Sequence, residues 1–386
     1  MEQKTYDNQS ISSLKGADRV RLRPGVIFGS DGIEGCQHSV FEILANAIDE
    51  AREGFGSVIN VILHADHSIT IEDYGRGIPL DYNEIEGRYN WELVFCELYA
   101  GGKYNNNEGD NYEFSLGLNG LGSCATQYSS EYMDVRVCRD GYCYELRFEK
   151  GENIGGLKKY QYSYKSTGTK IHWKPDKEVF TDINISTEYM QLILKKQAIV
   201  NPGLKFIYTD EIASIREEYI YEEGITGYVK ELAQSKNFTE VVFLENETKG
   251  QDSLDRPEYK LKFQIAFCFC NETPVLEYYH NSSYLEYGGS PDKAVKNAFL
   301  YSVDKYLKTE NLYNKNEKKI SFTDIQDSLI LVSNSFSTIT SYENQTKKSI
   351  TNKFIQDAIQ EYLKDYLHVY FIENKDEANK IAKQVL

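Results

Sequence analysis

The chain has 386 residues, and its 41% hydrophobic content and 7 prolines are typical of a globular protein with room for two domains. No stretch reaches the roughly 18 consecutive apolar residues of a membrane helix, and the amino terminus lacks the apolar segment of a secretory signal. The net charge of −16 excludes a protein that grips nucleic acid with most of its surface, so any DNA contact would need local patches or another subunit.

The seven cysteines are odd in number and show no C-x-x-C spacing, which disfavours a zinc site. We therefore expect reduced cysteines in a cytoplasmic protein. Cys268 and Cys270 alternate within a predicted strand, so we expect them to be packing residues.

The first half of the chain opens with a polar segment that ends at the Pro24-Gly25 turn. Apolar residues spaced by three and four then predict a helix near 36–53. Two alternating strands follow and form a hairpin around the polar His64–Ser68 turn. The Gly- and Asn-rich segment from Gly101 to Gly122 is too long for a simple connection. Further alternating strands come after it, with a turn predicted around Gly168.

The pattern of apolar residues resets around Glu222–Gly224. Beyond it the sequence predicts strands in the segments EVVFLEN, YKLKFQIAFCFC and SLILVSN, and a helix near Pro291–Leu307. A final helical tract is predicted to place a set of apolar residues on one face: Ile350, Phe354, Ala358, Ile359, Leu363 and Leu367.

A polar, mostly acidic face lies opposite the apolar stripe of the helix near 36–53. Residues four apart stack along one face of a helix, so His38, Glu42 and Asn46 lie in line. A solvated helix face would normally include lysines, and this one offers only Arg52. A functional face and an exposed acidic face are therefore comparable interpretations.

A second candidate element follows a predicted strand and covers Glu72–Pro79, with the sequence EDYGRGIP. Gly75 and Gly77 permit a tight turn that exposes backbone to a ligand. The Asp73 carboxylate, at the end of the strand, could accept a hydrogen bond from the exocyclic amine of adenine. The pattern D-x-G-x-G also occurs in ordinary surface turns, so it does not decide the function alone.

A third element is rich in glycine and comprises Ala100–Lys103 and Ser115–Ser123. Glycines that bring consecutive N–H groups to the start of a helix form a cradle for phosphate. The segment is not a Walker A loop, because Ser123 stands where that motif requires lysine. Glycine-rich lids without a nucleotide are common, so this element is also weak by itself.

The three elements indicate the function much more specifically together than any one of them does alone. E-x-x-x-N on a helix, D-x-G-x-G after a hairpin, a glycine-rich lid and Gly168-Thr169 in a strand, in this order, resemble the GHKL ATPases. That family includes gyrase B, MutL, heat-shock chaperones and sensor histidine kinases. The resemblance implies an α+β protein that begins with a GHKL (Bergerat) ATPase α/β sandwich.

Flanking residues narrow the resemblance to the B subunits of bacterial type IIA DNA topoisomerases, which are gyrase and topoisomerase IV. The opening from Tyr6 to Gly25 looks like that of these subunits, and Gln345–Lys347 looks like the QTK loop of their transducer domain. The resemblance implies a GHKL domain over 1–222 with a dimerisation arm over about 1–23. A ribosomal-S5-like α/β transducer domain would cover 223–386.

The resemblance also implies catalytic roles. Glu42 would be the general base that polarises the attacking water, and His38 would orient Glu42. Lys347 would reach the γ-phosphate from the second domain, assisted by Gln345, and Asn46 would bind Mg²⁺. For His38 the alternative is a satisfied structural histidine.

Other residues would bind ATP. Asp73 would bind the adenine amine, with support from Thr169 through a shared water. Glu50 and Arg76 would form an ion pair over the adenine, although an ordinary surface pair is nearly as good an interpretation. Contacts from the same loop, the lid and the arm would complete the site: Gly77, Ile78, Pro79, Gly101, Gly102, Lys103, Tyr112, Gly117, Leu118, Asn119, Gly120, Leu121, Gly122 and Tyr6.

By this resemblance the chain would hydrolyse ATP with Mg²⁺, form a homodimer on ATP binding and drive passage of double-stranded DNA. Its partner would be a topoisomerase A subunit in an A2B2 complex, without any membrane association. The motifs of a metal-binding strand-cleavage domain are absent, and the chain stops within a predicted helix. We therefore expect a piece of a longer subunit.

Two other interpretations stay open. A clamp like MutL or the heat-shock chaperones would share the ATPase fold, but the QTK loop and the arm favour a topoisomerase. A catalytically weak paralogue or decoy would bind nucleotide or gyrase inhibitors without turnover, and the intact Glu42, Asn46 and Lys347 disfavour it. Leu116 and Asn119 depart from the usual lid sequence, which leaves aminocoumarin sensitivity and the type of topoisomerase open.

Overall fold

The structure, a computed structural model, describes the chain in six segments: 13–100, 120–163, 166–271, 273–316, 318–343 and 347–386. Among the helices of these segments, none is both long and apolar enough to cross a membrane. The described residues divide into two compact units that interleave along the sequence. The first unit contains the described residues up to Met190 together with Ile207–Glu217, and the second contains Gln191–Phe206 and Glu218–Leu386.

Helices and strands are distributed along the whole described chain. The helices are α1 (Asp18–Arg21), α2 (Pro24–Phe28), α3 (Ile33–Arg52), α4 (Asn90–Cys96), α5 (Gly122–Tyr128), α6 (Thr187–Val200), α7 (Gly224–Ala233), α8 (Ser290–Thr309), α9 (Phe322–Gln326), α10 (Lys353–Glu373) and α11 (Lys375–Val385). The strands are β1 (Val58–Leu63), β2 (Ile69–Asp73), β3 (Tyr82–Asn83), β4 (Arg88–Tyr89), β5 (Ser130–Arg139), β6 (Tyr142–Glu149), β7 (Glu152–Gln161), β8 (Gly168–Pro175), β9 (Lys205–Asp210), β10 (Ile215–Tyr219), β11 (Val242–Gly250), β12 (Tyr259–Phe269), β13 (Val275–His280), β14 (Ser283–Tyr284) and β15 (Leu329–Ser337).

An eight-stranded sheet has the order β10-β9-β1-β2-β8-β5-β6-β7. Helix α3 packs against β1, β2 and β8, and α5 packs against α3. The apolar stripe of α3 is buried and consists of Val40, Ile43, Leu44, Ala47 and Ile48. Because this stripe faces the sheet, the opposite face of α3 is left for the polar side chains of the candidate site.

A five-stranded sheet in the second unit has the order β11-β12-β15-β13-β14. Alternate residues of β12 point into two separate cores, one shared with α8 and α10 and the other with α7. Every residue of β15 is buried, because both faces of this sheet are covered. The strands and the helix predicted for this half of the chain are confirmed as β11, β12, β15 and α8.

Gly168 and Thr169 begin β8, as predicted for a strand. Two local predictions were wrong. Ile350, predicted to lie in the final helical tract, precedes α10, which begins at Lys353. Cys138 and Cys143 face each other across β5 and β6 and form a disulfide, so the expectation of reduced cysteines fails for this pair. Their cross-strand pairing could not be read from a spacing of five residues without the sheet register. Two other cysteines are completely buried, as expected for packing residues: Cys268 and Cys270.

Candidate functional site

The polar face of α3 brings three predicted residues together. His38 Nε2 lies 3.2 Å from Glu42 Oε1, and the two side chains are only 15% and 13% exposed. Asn46 Nδ2 donates to the Glu42 carbonyl at 3.2 Å and to Ser123 Oγ at 3.1 Å. The second bond joins α3 to α5, so Asn46 is fixed both along its own helix and from a neighbouring one.

Helix α5 approaches Glu42 more closely than any side chain would allow. A Cβ atom placed on Gly122 would lie 2.2 Å from Glu42 Oε2. Glycine at this position therefore lets the first turn of α5 pack directly against the Glu42 carboxylate. Gly120 and Leu121 immediately precede this helix, and the Gly120 carbonyl accepts the Tyr99 N–H at 2.9 Å.

Asp73 ends β2 with its carboxylate almost entirely buried. Its Oδ1 accepts the N–H of Gly75 at 2.9 Å and that of Thr169 at 3.3 Å. Burial raises the pKa of Asp73 to about 6, against these two hydrogen bonds, which lower the pKa, and the negative charges of Glu50 and Glu72 add to the rise. A carboxylate buried in this way can accept a hydrogen bond from a ligand in a water-poor site.

The predicted ion pair between Glu50 and Arg76 is present. Arg76 Nε and Nη2 donate to the two carboxylate oxygens of Glu50 at 3.1 and 2.9 Å, and the Arg76 N–H adds a bond of 3.2 Å. The Arg76 guanidinium lies over the ring of Phe55, 3.9 Å from its centre. Arg76 is therefore held in place both by Glu50 on α3 and by the aromatic ring of Phe55.

The Gly75–Pro79 loop is held to β8 by direct contacts. Thr169 Oγ1 accepts the Ile78 N–H at 3.2 Å. A Cβ atom on Gly168 would lie 2.1 Å from the Asp73 carbonyl, and its φ of +148° also favours glycine. Thr169 was predicted to support Asp73 through a shared water, whereas in the structure its backbone and hydroxyl bond directly to Asp73 and the loop.

Three side chains of this site were not predicted from the sequence. Thr167 Oγ1 donates to the Gly75 carbonyl at 2.6 Å, and Arg139 Nη1 donates to the Gly77 carbonyl at 2.8 Å. Phe55 contacts Arg76 as described above. The Thr-Gly-Thr sequence around Gly168 was a visible signal for Thr167, but the position of Arg139 depends on the pairing of β5 with β8.

Lys347 belongs to the second unit. It is 8% exposed, and its backbone has a φ of +58°. Nine other predicted site residues lie outside the described part of the chain: Tyr6, Gly101, Gly102, Lys103, Tyr112, Gly117, Leu118, Asn119 and Gln345.

The described residues include no group of three or more His, Cys, Asp or Glu side chains that could hold a metal ion. Glu42 and Asn46 nevertheless place a carboxylate and a carboxamide one helical turn apart on α3. Oxygen ligands of this kind suit Mg²⁺, which usually takes one or two protein ligands and completes its shell with phosphate and water oxygens.

Comparison with known proteins gives a consistent result. The family model of DNA gyrase B matches residues 224–386. The chain is 30% identical over 382 residues to the DNA gyrase B protein of Thermotoga maritima, in an alignment that covers 99% of this chain and 59% of that protein. It is also 30% identical over 390 residues to the B protein of DNA topoisomerase 4 from Mycoplasma capricolum, covering 58% of that protein. The chain thus spans less than two thirds of the length of these relatives.

Solved structures of similar proteins share the fold. The ATP-binding domain of Francisella tularensis topoisomerase IV superposes with a TM-score of 0.73 at 27% identity, covering 96% of each chain. The 43K ATPase domain of Thermus thermophilus gyrase B, solved with an aminocoumarin, gives the same TM-score at 24% identity over 96% of this chain and 94% of that one. The expected α+β fold, a GHKL ATPase sandwich followed by a transducer domain, is confirmed by these likenesses.

Proposed function

We propose that this chain, which is similar to the B subunits of bacterial type IIA DNA topoisomerases over their ATPase region, belongs to that family and binds and hydrolyses ATP to operate a dimer gate. The observation that carries the proposal is the arrangement along α3. Glu42 and Asn46 lie on it beside α5, and Glu50, two turns further on, pairs with the loop that follows Asp73. Eight residues of helix span about 12 Å, so one helix can serve both ends of an extended nucleotide.

At the phosphate end, Glu42 accepts a proton from the attacking water, and His38 orients the Glu42 carboxylate. The 3.2 Å contact between these side chains supports this assignment. Asn46 would supply an oxygen ligand to Mg²⁺, which when bound neutralises phosphate charge. Gly122 and the lid residues before it would contact the phosphates through their main-chain N–H groups.

At the adenine end, the ionised Asp73 carboxylate accepts the exocyclic amine. Its burial supports this role, because a hydrogen bond in a water-poor site discriminates more strongly than one in water. The ion pair of Glu50 with Arg76 covers the base. Thr169 and the glycine residues of the loop hold the backbone around it.

The remaining parts of the proposal concern the gate itself. A GHKL domain over 1–222 and a transducer domain over 223–386 would be linked through ATP when Lys347, assisted by Gln345, contacts the γ-phosphate. The arm over about 1–23, including Tyr6, would cross to a second copy and close a dimer over double-stranded DNA. Strand passage would require the A subunit in an A2B2 complex, and hydrolysis would release the gate.

The first test is ATP turnover by the purified chain over a series of protein concentrations, with light scattering in the presence of a non-hydrolysable ATP analogue. We expect turnover to rise faster than linearly with concentration and the analogue to trap dimers. Turnover proportional to concentration, with monomers throughout, would contradict the gate. Absence of turnover together with tight aminocoumarin binding would instead support an inhibitor-binding paralogue.

A further inference from the structure

Lys347 is carried by a short antiparallel hairpin in the second unit. The Glu343 N–H donates to the Ser349 carbonyl at 3.0 Å, and the Thr351 N–H donates to the Ser341 carbonyl at 2.9 Å. Between these two bonds, Tyr342 and Ile350 form a bridge. Because the hairpin has so few rungs, its own hydrogen bonds fix its position poorly, and its base must be held by the rest of the unit.

The returning arm of the hairpin is held on its outer side by the segment before α8. The Ser290 N–H donates to the Ile350 carbonyl at 3.0 Å, and the Tyr287 N–H donates to the Lys348 carbonyl at 3.0 Å. A Cβ atom on Gly289 would lie 2.2 Å from the Ile350 carbonyl. This side of the hairpin is therefore fixed through backbone atoms, and glycine is needed for the close approach.

The outgoing arm is held differently, by the side chain of His280 at the end of β13. This histidine is completely buried, and it lies opposite Ser335 in the parallel pairing of β13 with β15. Its Nδ1 contacts Ser335 Oγ at 2.8 Å, inside the sheet. Its Nε2 contacts Ser337 Oγ at 3.0 Å and Thr340 Oγ1 at 2.9 Å, at the base of the hairpin.

The two ring nitrogens of His280 thus serve two different parts of the structure. Ser337 ends β15, and Thr340 immediately precedes the first rung of the hairpin. The hydroxyls of Ser337 and Thr340 also contact each other at 3.0 Å, which closes a small, partly buried network around Nε2. Asn281 pairs with the backbone of Ser337, so the sheet edge has a second support there, and its Nδ2 reaches Thr340 Oγ1 at the longer distance of 3.2 Å.

We propose that His280 is a positioning residue for Lys347: its Nε2 holds Ser337 and Thr340, and through them the hairpin that presents the lysine. The proposal rests on the proposed function, in which Lys347 contacts the γ-phosphate. His280 does not touch the nucleotide itself. A buried hydrogen bond that is lost without replacement weakens the position of the group that it held, by the equivalent of about two- to tenfold in an equilibrium.

The two ring nitrogens can be separated by substitution. In His280→Asn the side-chain amide reaches only the place of Nδ1, so the contact with Ser335 is kept and the contacts with Ser337 and Thr340 are lost. In His280→Gln the amide reaches the place of Nε2, so the hydrogen bonds with Ser337 and Thr340 are kept. The ring contact of His280 with Tyr342, whose centroids are 6.3 Å apart, is lost in both variants and so does not distinguish them. His368, an exposed histidine on α10, provides the control variant His368→Asn.

Amide hydrogen exchange at Glu343 and Thr351 measures hairpin position directly and needs no turnover. We expect exchange in the full chain to be about five- to tenfold faster in His280→Asn and close to wild type in His280→Gln and His368→Asn. ATP turnover should follow the same order, with kcat lowered about five- to tenfold in His280→Asn and KM little changed. The thermal midpoint identifies a variant that has simply lost stability.

The outcomes separate this inference from the proposed function. Exchange in His280→Asn at the wild-type rate, or an equal loss in His280→Asn and His280→Gln, would overturn the positioning role. If exchange follows the expected order but Lys347→Ala keeps wild-type turnover, the hairpin is positioned by His280 and the role of Lys347 in hydrolysis is wrong. If Lys347→Ala loses turnover while His280→Asn retains both turnover and slow exchange, only the positioning role fails.

Discussion

The polar face of α3 and the Lys347 hairpin are positioned in opposite ways. On α3 the contact between His38 and Glu42 is local, because the two residues are four apart, and both side chains remain partly exposed. Under the hairpin the contacts are distant in sequence: the completely buried His280 meets three hydroxyl side chains that are between 55 and 60 residues away.

This difference has a physical cause. A helix fixes the spacing of its side chains by itself, so a functional face needs only the right residues at intervals of four. A loop has no such regularity, and its position depends on hydrogen bonds to groups that the fold brings close. We infer that substitutions on α3 change the chemistry with little effect on position, whereas substitutions around the hairpin change position first.

The largest effect is expected from Glu42→Gln, which tests whether the face of α3 performs the chemistry. Removal of a general base lowers turnover by about 10²- to 10⁴-fold, and the amide keeps the shape of the side chain beside Gly122. ATP affinity should be nearly unchanged, as measured by equilibrium binding. Glu34→Gln, at an exposed position near the start of the same helix, is the control. Wild-type turnover in Glu42→Gln would remove Glu42 as the base.

The next effect is expected from Lys347→Ala, which tests the other side of the comparison. A charge-assisted hydrogen bond to phosphate is lost, so turnover should fall about ten- to hundredfold. The neighbouring Lys348 pairs with Glu286 at 2.6 Å, and Lys348→Ala is therefore a matched control that removes a positive charge from the same hairpin. Equal losses in the two variants would indicate that only the charge of the hairpin matters, and not the position of Lys347.

The contrast between local contacts and contacts distant in sequence also explains which features the sequence could predict. The α3 face, the hairpin of β1 and β2 and the loop after Asp73 depend on short-range periodicity and turn residues, and the sequence predicted all three. Helix α6 has a weaker amphipathic pattern and was not predicted, and neither were β9 and β10. Tertiary packing outweighs local pattern in such segments.

Side-chain contacts across the fold were beyond the reach of a single sequence. The disulfide of Cys138 with Cys143 and the contact of Arg139 with Gly77 require the register of β5 with its neighbours. The His280 network requires β13 to pair with β15, although the two strands are separated by α8 and α9. Such strand pairings are set by packing of the complete sheet. The sequence around His280 therefore contains no local pattern that would predict its contacts.

A third, smaller effect concerns Asp73, whose carboxylate is buried at the end of β2. The pKa of Asp73 is raised to about 6 in the folded chain, so protonation of this carboxyl stabilises the fold. This contribution to the free energy of unfolding is fully present below the pKa that Asp73 has in the unfolded chain, and it is lost as pH rises through 6. Asp73→Asn removes the buried charge, so its thermal midpoint should exceed that of wild type at pH 8, and the advantage should shrink towards pH 5. Its ATP affinity should nevertheless be about tenfold lower at pH 8.

The pH dependence of nucleotide binding gives a sharper form of this test. Wild-type affinity should fall as pH decreases through about 6, while that of Asp73→Asn stays level. Glu72→Gln removes a negative charge beside Asp73, so the fall in ATP affinity should occur at a lower pH in this variant than in wild type. Its ATP affinity at pH 8 should be unchanged. A fall at the same pH in Asp73→Asn would mean that another group controls binding.

The smallest effect is expected at Phe55, the aromatic contact of Arg76 that the sequence did not reveal. A cation–π contact at a partly exposed site contributes about 0.5–1 kcal/mol, so Phe55→Leu should raise the KM for ATP about two- to fivefold and leave kcat unchanged. Phe55→Tyr keeps the aromatic ring and should behave as wild type. If both variants leave the KM for ATP unchanged, the aromatic contact is not needed, and the bidentate pair with Glu50, a contact between α3 and the adjoining loop, is sufficient to hold Arg76. That result would extend the principle of local positioning from the catalytic end of α3 to its adenine end.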